Sequence, residues 1–193
     1  MFEEEIRAFE AEDRLRPPPE GAVLFIGSSS IRMWETLGQD FPGVPVINRG
    51  FGGSEMEDTV RYAHRIALPY KPRQIVVYAG DNDLGGGKAP EAVADAFASF
   101  VRLVHAQLPA TRIGFVAIKP SLMRWHLIDM VRKTNGLVRE ICARDPRLDF
   151  IDIVPAMLGD DGMPRQELYV EDGLHLSVQG YAIWRAAVAP FLG

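Results

Sequence analysis

Five short apolar runs, separated by stretches with helical spacing, predict a three-layer α/β/α fold built on a five-stranded parallel sheet. The runs are of the type found in strands buried on both faces. Each gap between them holds a helical pattern, as a right-handed crossover requires. The polar and glycine-rich segments fall at the ends of the runs. Together these features point to a doubly wound, flavodoxin-like sheet of order 2-1-3-4-5.

Residues 3 to 15 read as an amphipathic helix with Phe2, Ile6, Phe9 and Leu15 on its apolar side, ended by Pro17-Pro18-Pro19. Ala22 to Ile26 is the first strand, followed by a helix around Ile31 to Leu37. Val44 to Ile47 is the second strand and Glu55 to Leu68 the next helix. Gln74 to Tyr78 is the third strand, running into Ala79-Gly80-Asp81-Asn82-Asp83 and the glycines 85 to 87. Pro90 opens a long helix to about Gln107, at a position where proline is tolerated. Arg112 to Ile118 is strand four, with a helix over about Arg124 to Ala143, and Leu148 to Ile153 is strand five. Ser177 is placed to cap a final helix that runs to about Pro190.

With 193 residues, 47% hydrophobic and 24% charged, the chain is expected to form one domain over 1–193, residues 1–19 being an N-terminal helix and a proline-rich connection. A net charge of −5 with scattered Lys and Arg argues against a nucleic-acid partner. No apolar run reaches the roughly 18 residues of a membrane span. The acidic start Met1-Phe2-Glu3-Glu4-Glu5 lacks an apolar signal core, which predicts a cytoplasmic protein. The single cysteine, Cys142, excludes an internal disulfide and reads as a buried small hydrophobe. The first helix has two placements open to it, on its own sheet or against a second copy of the chain.

In open α/β sheets, ligands bind beyond the carboxyl ends of the strands, near the point where strand order reverses. Gly27-Ser28-Ser29-Ser30 stands at the end of strand one. A serine there can simply cap the next helix, as Ser28 or Ser30 would. Ser29 follows the glycine by two, at the sharp turn where a hydroxyl stands clear, and the helix start behind it points backbone amides at a developing anion. Near the other end of the chain, Asp172-Gly173-Leu174-His175 places a carboxylate three residues before a histidine on one tight loop. Such an aspartate can fix the imidazole tautomer and leave the other ring nitrogen free to take a proton. Nucleophile first, carboxylate and base last, suits hydrolysis of an acyl ester.

Asn82 either stabilises its turn or offers its side-chain amide to an oxyanion. Gly50-Phe51-Gly52-Gly53-Ser54 is a loop, a helix start or a close backbone approach to ligand; it has neither dinucleotide spacing nor a P-loop lysine. Asp81, Asp83 and Asp172 lack metal-site spacing, so no metal and no cofactor is expected. His64 and His105 lie in helices without an adjacent partner. The segment Lys119 to His126 is the expected pocket wall, with Trp125 and His126 as substrate contacts and Trp34, Arg49 and Phe51 as neighbours.

These blocks resemble the SGNH, or GDSL-type, hydrolases over residues 22 to 191. Gly27-Ser28-Ser29-Ser30 stands where that family has Gly-Asp-Ser-Leu, which implies Ser29 as nucleophile. Asn48 to Gly53 is similar to the second block and implies the Gly53 amide as an oxyanion donor. Gly80-Asp81-Asn82-Asp83 resembles Gly-x-Asn-Asp, and Asp172 to His175 resembles Asp-x-x-His. Ser28 departs from the family's aspartate, so hydrogen bonding around Ser29 must differ. The resemblance implies a small-molecule ester substrate cleaved through a serine-bound intermediate, without a cofactor. The mixed aromatic and polar wall suits a short acyl group on a polar alcohol such as an acetylated sugar. A longer-chain lipid ester is the alternative, and a non-catalytic module for small anions is a further one.

Overall fold

The computed structural model describes residues 2–192. Its five parallel strands are β1 (Val23–Gly27), β2 (Val46–Gly50), β3 (Gln74–Tyr78), β4 (Arg112–Val116) and β5 (Leu148–Ile151), in the order β2-β1-β3-β4-β5. The helices are α1 (Glu3–Leu15), α2 (Ser29–Arg32), α3 (Leu37–Asp40), α4 (Met56–Ile66), α5 (Asp81–Gly85), α6 (Pro90–Gln107), α7 (Ile128–Cys142), α8 (Val154–Met157) and α9 (Val178–Leu192). The expected fold class and strand order are those observed.

Alternation along the strands builds two cores. Leu24 and Ile26 of β1, Ile75 and Val77 of β3, and Ile113 and Phe115 of β4 point to one face, against apolar residues of α1, α4, α6 and α7. Val23, Phe25, Val76, Tyr78 and Val116 point to the other, against α2, α3, α8 and α9. Both faces are covered, which explains the nearly continuous apolar runs.

Boundaries differ where polar side chains intervene. The expected helix over Ile31 to Leu37 is two single turns. The Trp34 indole N–H and the Thr36 hydroxyl both donate to Asp40 Oδ2, at 2.7 and 2.6 Å, and hold the chain between α2 and α3 out of helical form. Strand β2 starts two residues later than expected, after Pro45, which has no N–H for a ladder. Strands β4 and β5 each end two residues early. At β5 the Asp152 carboxylate accepts the Val154 N–H at 3.1 Å and starts α8. The helix expected from Arg124 begins instead with a 3-10 turn over Trp125–Leu127. Ser177 Oγ does accept the Gly180 N–H, at 3.2 Å, at the start of α9.

Helix α1 packs on its own chain. Ile6 is fully buried, and Arg65 of α4 pairs with Glu3 and Glu10 at 2.9 and 2.6 Å. Glu5 accepts the Gly52 N–H at 3.3 Å and stands 3.5 Å from the Arg32 guanidinium.

Two glycines set the carboxyl edge of the sheet. Gly27 lies level with Gly50 on one side and Tyr78 on the other. At φ +137° it takes a conformation that suits glycine, and a Cβ there would stand 1.9 Å from the Tyr78 carbonyl oxygen. A Cβ on Gly50 would stand 2.1 Å from the Arg32 nitrogen, so α2 rests directly on the β2 backbone. Gly27→Ala is therefore expected to cost about 2 kcal/mol or more of folding stability. Urea denaturation checks this, and an unchanged midpoint would contradict it.

Candidate active site

The turn after β1 is fixed through its backbone. Ser28 donates its N–H to the Tyr78 carbonyl at 2.9 Å, and its own carbonyl accepts from Ile31 and Arg32 at 3.0 and 3.2 Å. Ser28 is the N-cap of α2, yet its hydroxyl makes no capping bond. Ser29 takes the first helical position, where a backbone amide has no carbonyl four residues back in its own helix. Its half-buried hydroxyl stands 3.0 Å from Nε2 of His175.

The imidazole is held from behind. Its Nδ1 lies 2.6 Å from Asp172 Oδ2, while Asp172 Oδ1 accepts the backbone N–H groups of Leu174 and His175 at 2.8 and 2.9 Å. Partial burial opposes ionisation of Asp172, but the ring of His175 and these two amides outweigh it and lower the carboxyl to about 2. An ionised Asp172 fixes the proton on Nδ1 and leaves Nε2 as the acceptor for the Ser29 hydroxyl. Gly173 makes the turn at φ +64°. Val170 donates to the His175 carbonyl at 2.9 Å, and the Gly173 carbonyl accepts the Met123 N–H at 3.0 Å. Tyr169 also donates its hydroxyl to the Pro120 carbonyl. The histidine loop is thus anchored on the segment that follows β4.

The candidate donors lie on the neighbouring loops. The loop after β2 is tied to the β1 turn by the Phe51 N–H, which donates to the Gly27 carbonyl at 2.9 Å. Gly53 in this loop is exposed, at φ +78°, with open space on its Cβ side. Asn82 in α5 donates Nδ2 to the Ser54 carbonyl at 3.0 Å, linking the second and third blocks. Its neighbour Asp83 is buried and accepts the Met56 N–H with both oxygens, at 3.2 and 3.0 Å, at the start of α4. Burial pushes the Asp83 carboxyl up to about 6.

Under α5 lies a cluster of charges that the sequence reading did not pick out. Asp81 is buried, and its carboxylate meets Lys119 Nζ at 2.6 Å and Arg124 Nη1 at 2.7 Å. Burial works against ionising Asp81, but the two cations outweigh it and hold the carboxyl below its usual range. Lys119 also donates to the Tyr78 hydroxyl at 3.0 Å, and Arg124 Nη2 donates to Asn82 Oδ1 at 3.2 Å. Two cations bracketing Pro120 just after a buried strand, opposite an acidic strand end, are the signal that could have exposed this cluster.

The expected pocket lining needs correction. Trp34 is 1% exposed and packed edge-on to Phe25 and Trp184, and Phe51 is wholly buried against Phe2 and Tyr62. Arg49 points away from the cleft to pair with Asp13, and it lies over the ring of Phe9. None of the three is available to a substrate, because each has been taken up by packing or ion pairing. Trp125 is half-buried and His126 exposed, on the 3-10 turn after Arg124. An open groove of about 480 Å³ is lined instead by Met33, Val170, Leu176, Tyr181 and Arg185 among others. Met33 donates its N–H to the Ser29 carbonyl at 2.8 Å, and Leu176 follows His175 in the chain. Among the described residues, no helix is long and apolar enough to cross a membrane and no group of three acidic, His or Cys residues could hold a metal ion.

Residues 26–183 match the model of the GDSL-like Lipase/Acylhydrolase family. Platelet-activating factor acetylhydrolase IB subunit alpha1 of Bos taurus is 29% identical over 171 residues, covering 84% of this chain and 71% of that protein. A GDSL-like lipase from Bacteroides thetaiotaomicron has a similar fold, with a TM-score of 0.80 at 20% identity, over 97% of this chain and 96% of that one. So does an acetyl-xylooligosaccharide esterase from Geobacillus, at a TM-score of 0.72 and 15% identity over 91% and 95% of the two chains.

Asp83 gives the region a pH signature. A carboxyl raised from 3.8 to about 6 stabilises the fold below the lower value, and that contribution is lost as pH rises through the upper one. Asp83→Asn cannot ionise. Relative to it, the native protein should therefore lose on the order of 2 kcal/mol between pH 4 and pH 7. Urea unfolding of both proteins at the two pH values tests this, and a constant difference would refute it.

Proposed function

This chain belongs to the GDSL-like lipase/acylhydrolase family and is a carboxylic ester hydrolase; from that premise we propose that Ser29, His175 and Asp172 carry the reaction and that short acyl esters are its substrates. The observation that supports these roles is the continuous line of contacts, 3.0 Å from Ser29 Oγ to Nε2 and 2.6 Å from Nδ1 to Asp172. The Ser29 oxygen attacks the acyl carbonyl while Nε2 takes its proton. The ester carbonyl becomes an oxyanion, which accepts hydrogen bonds from the backbone amides of Ser29 and Gly53 and from Nδ2 of Asn82. Collapse expels the alcohol, to which His175 gives the proton, and leaves an acyl-serine. Water attacks that ester in turn, with Nε2 again taking the proton; the bond to Ser29 Oγ breaks, His175 returns the proton to Oγ, and the acid departs. Asp172 remains ionised throughout, stabilising the imidazolium that forms. Each donor to the oxyanion is worth about 2.7–4 kcal/mol of transition-state stabilisation.

The acyl group is proposed to be acetyl, carried by a polar alcohol such as a sugar. The word acetylhydrolase in the bovine relative's name supports the acyl half of this reading. A second reading, a lipid-type ester with a longer chain, is favoured by the apolar side chains of Met33, Val170 and Leu176 in the groove.

Ser29→Ala is expected to abolish turnover of p-nitrophenyl acetate with the circular dichroism spectrum retained; unchanged turnover would end the assignment of the nucleophile. A series of p-nitrophenyl esters from acetate to decanoate separates the two substrate readings. The acetyl reading expects kcat/KM to be highest for acetate and to fall with length, whereas a preference for octanoate or longer would favour the lipid reading.

A further inference from the structure

We propose that Arg124 is a positioning residue for the oxyanion site, holding the Asn82 carboxamide so that one N–H faces the reacting carbonyl; this rests on the reading of Asn82 as an oxyanion donor. A carboxamide has two ends of similar shape and opposite chemistry, and only one of its two orientations offers a donor. At Asn82 that choice is made by two contacts. Arg124 Nη2 donates to Oδ1 at 3.2 Å, and Nδ2 donates to the Ser54 carbonyl at 3.0 Å. A flipped amide would set its N–H groups against a guanidinium, which has donors only, and its oxygen against a carbonyl, which is an acceptor only. Both bonds would be lost at once. In the observed orientation, one N–H of Nδ2 is spent on Ser54 and the second is free to meet the oxyanion.

The guanidinium is itself fixed, so it can act as a reference point. Its Nη1 donates to Asp81 Oδ1 at 2.7 Å and to the Asp81 carbonyl at 2.8 Å. Asp81 is held from its other oxygen by Lys119 at 2.6 Å. Gly85 provides the slot, since a Cβ there would lie 2.9 Å from the guanidinium carbon. The planar fork reaches Asp81 from Nη1 and Asn82 from Nη2, two nitrogens in fixed relation, whereas a lysine would have to serve both from one nitrogen and loses that fixed geometry. The charge next to Oδ1 also polarises the carboxamide and makes its N–H groups better donors.

A double-mutant cycle on p-nitrophenyl acetate tests this. Asn82→Ala should lower kcat about 10²–10³-fold. Arg124→Lys should lower kcat about 10-fold with KM nearly unchanged, and should add nothing on the Asn82→Ala background. If Arg124→Lys leaves kcat unchanged, or costs the same factor in both backgrounds, the proposal is overturned. If Asn82→Ala itself leaves kcat unchanged, the donor role of Asn82 falls and the positioning role with it, which is a different result from failure of Arg124 alone. Gly85→Ala, which displaces the guanidinium without removing a charge, should give the same kcat-selective loss, again absent once Asn82 is Ala. It decides the matter should Arg124→Lys not fold, as shown by its thermal midpoint.

Discussion

The site depends on a steric constraint at the end of β1, where it lies between β2 and β3. Gly27 sits level with Gly50 and Tyr78, in a place where even a methyl group would overlap the Tyr78 carbonyl. Gly50 is under the same constraint from the backbone of α2. Because these three chains touch backbone to backbone, the loops that leave them begin within bonding distance of each other. Ser28 bonds to Tyr78, and Phe51 bonds to Gly27. The Ser29 turn, the glycine loop and the Asn82 helix are therefore parts of one edge.

A second, electrostatic anchor works from the opposite side. The segment after β4 holds Asp81 through Lys119 and Arg124, and the histidine loop through the Met123 amide and the Pro120 carbonyl. A single stretch of six residues, 119 to 124, thus connects the His175 loop to the Asn82 helix. Its cations cost desolvation, which their close pairing with a buried carboxylate offsets. Neutralising one partner alone would leave an uncompensated charge in the interior.

The strands and their order were legible because both faces of the sheet are covered, so residues such as Ile75, Val76 and Val77 are apolar regardless of the side they face. The helix over Asp81–Gly85 was not, since a five-residue polar turn beside glycines carries no apolar period. The residues brought together at Ser29, Asp172 and His175 were legible for a local reason in each case: a glycine-serine turn at a strand end, and a carboxylate three residues from a histidine. The pocket lining was not. Aromatic and arginine side chains after a strand read alike whether they face a cleft or a core, and the partner that draws Arg49 away, Asp13, lies 36 residues earlier. Arg124 escaped notice for the converse reason, since its role is defined by Asp81 and Asn82, some 40 residues upstream.

The loop carrying Asp172 and His175 has a mechanical corollary. Carboxylate and imidazole sit three residues apart, and the carboxylate also grips the backbone amides of their own turn. Bending this hairpin displaces carboxylate and imidazole as one piece, leaving their mutual bond intact. The hydroxyl belongs to a different piece of the scaffold, 146 residues away in the chain. Of the two contacts in the line, the one between oxygen and ring is the hinge at which thermal motion or a misplaced guest would disconnect the machinery, and it can reconnect without any tautomer having to be re-established.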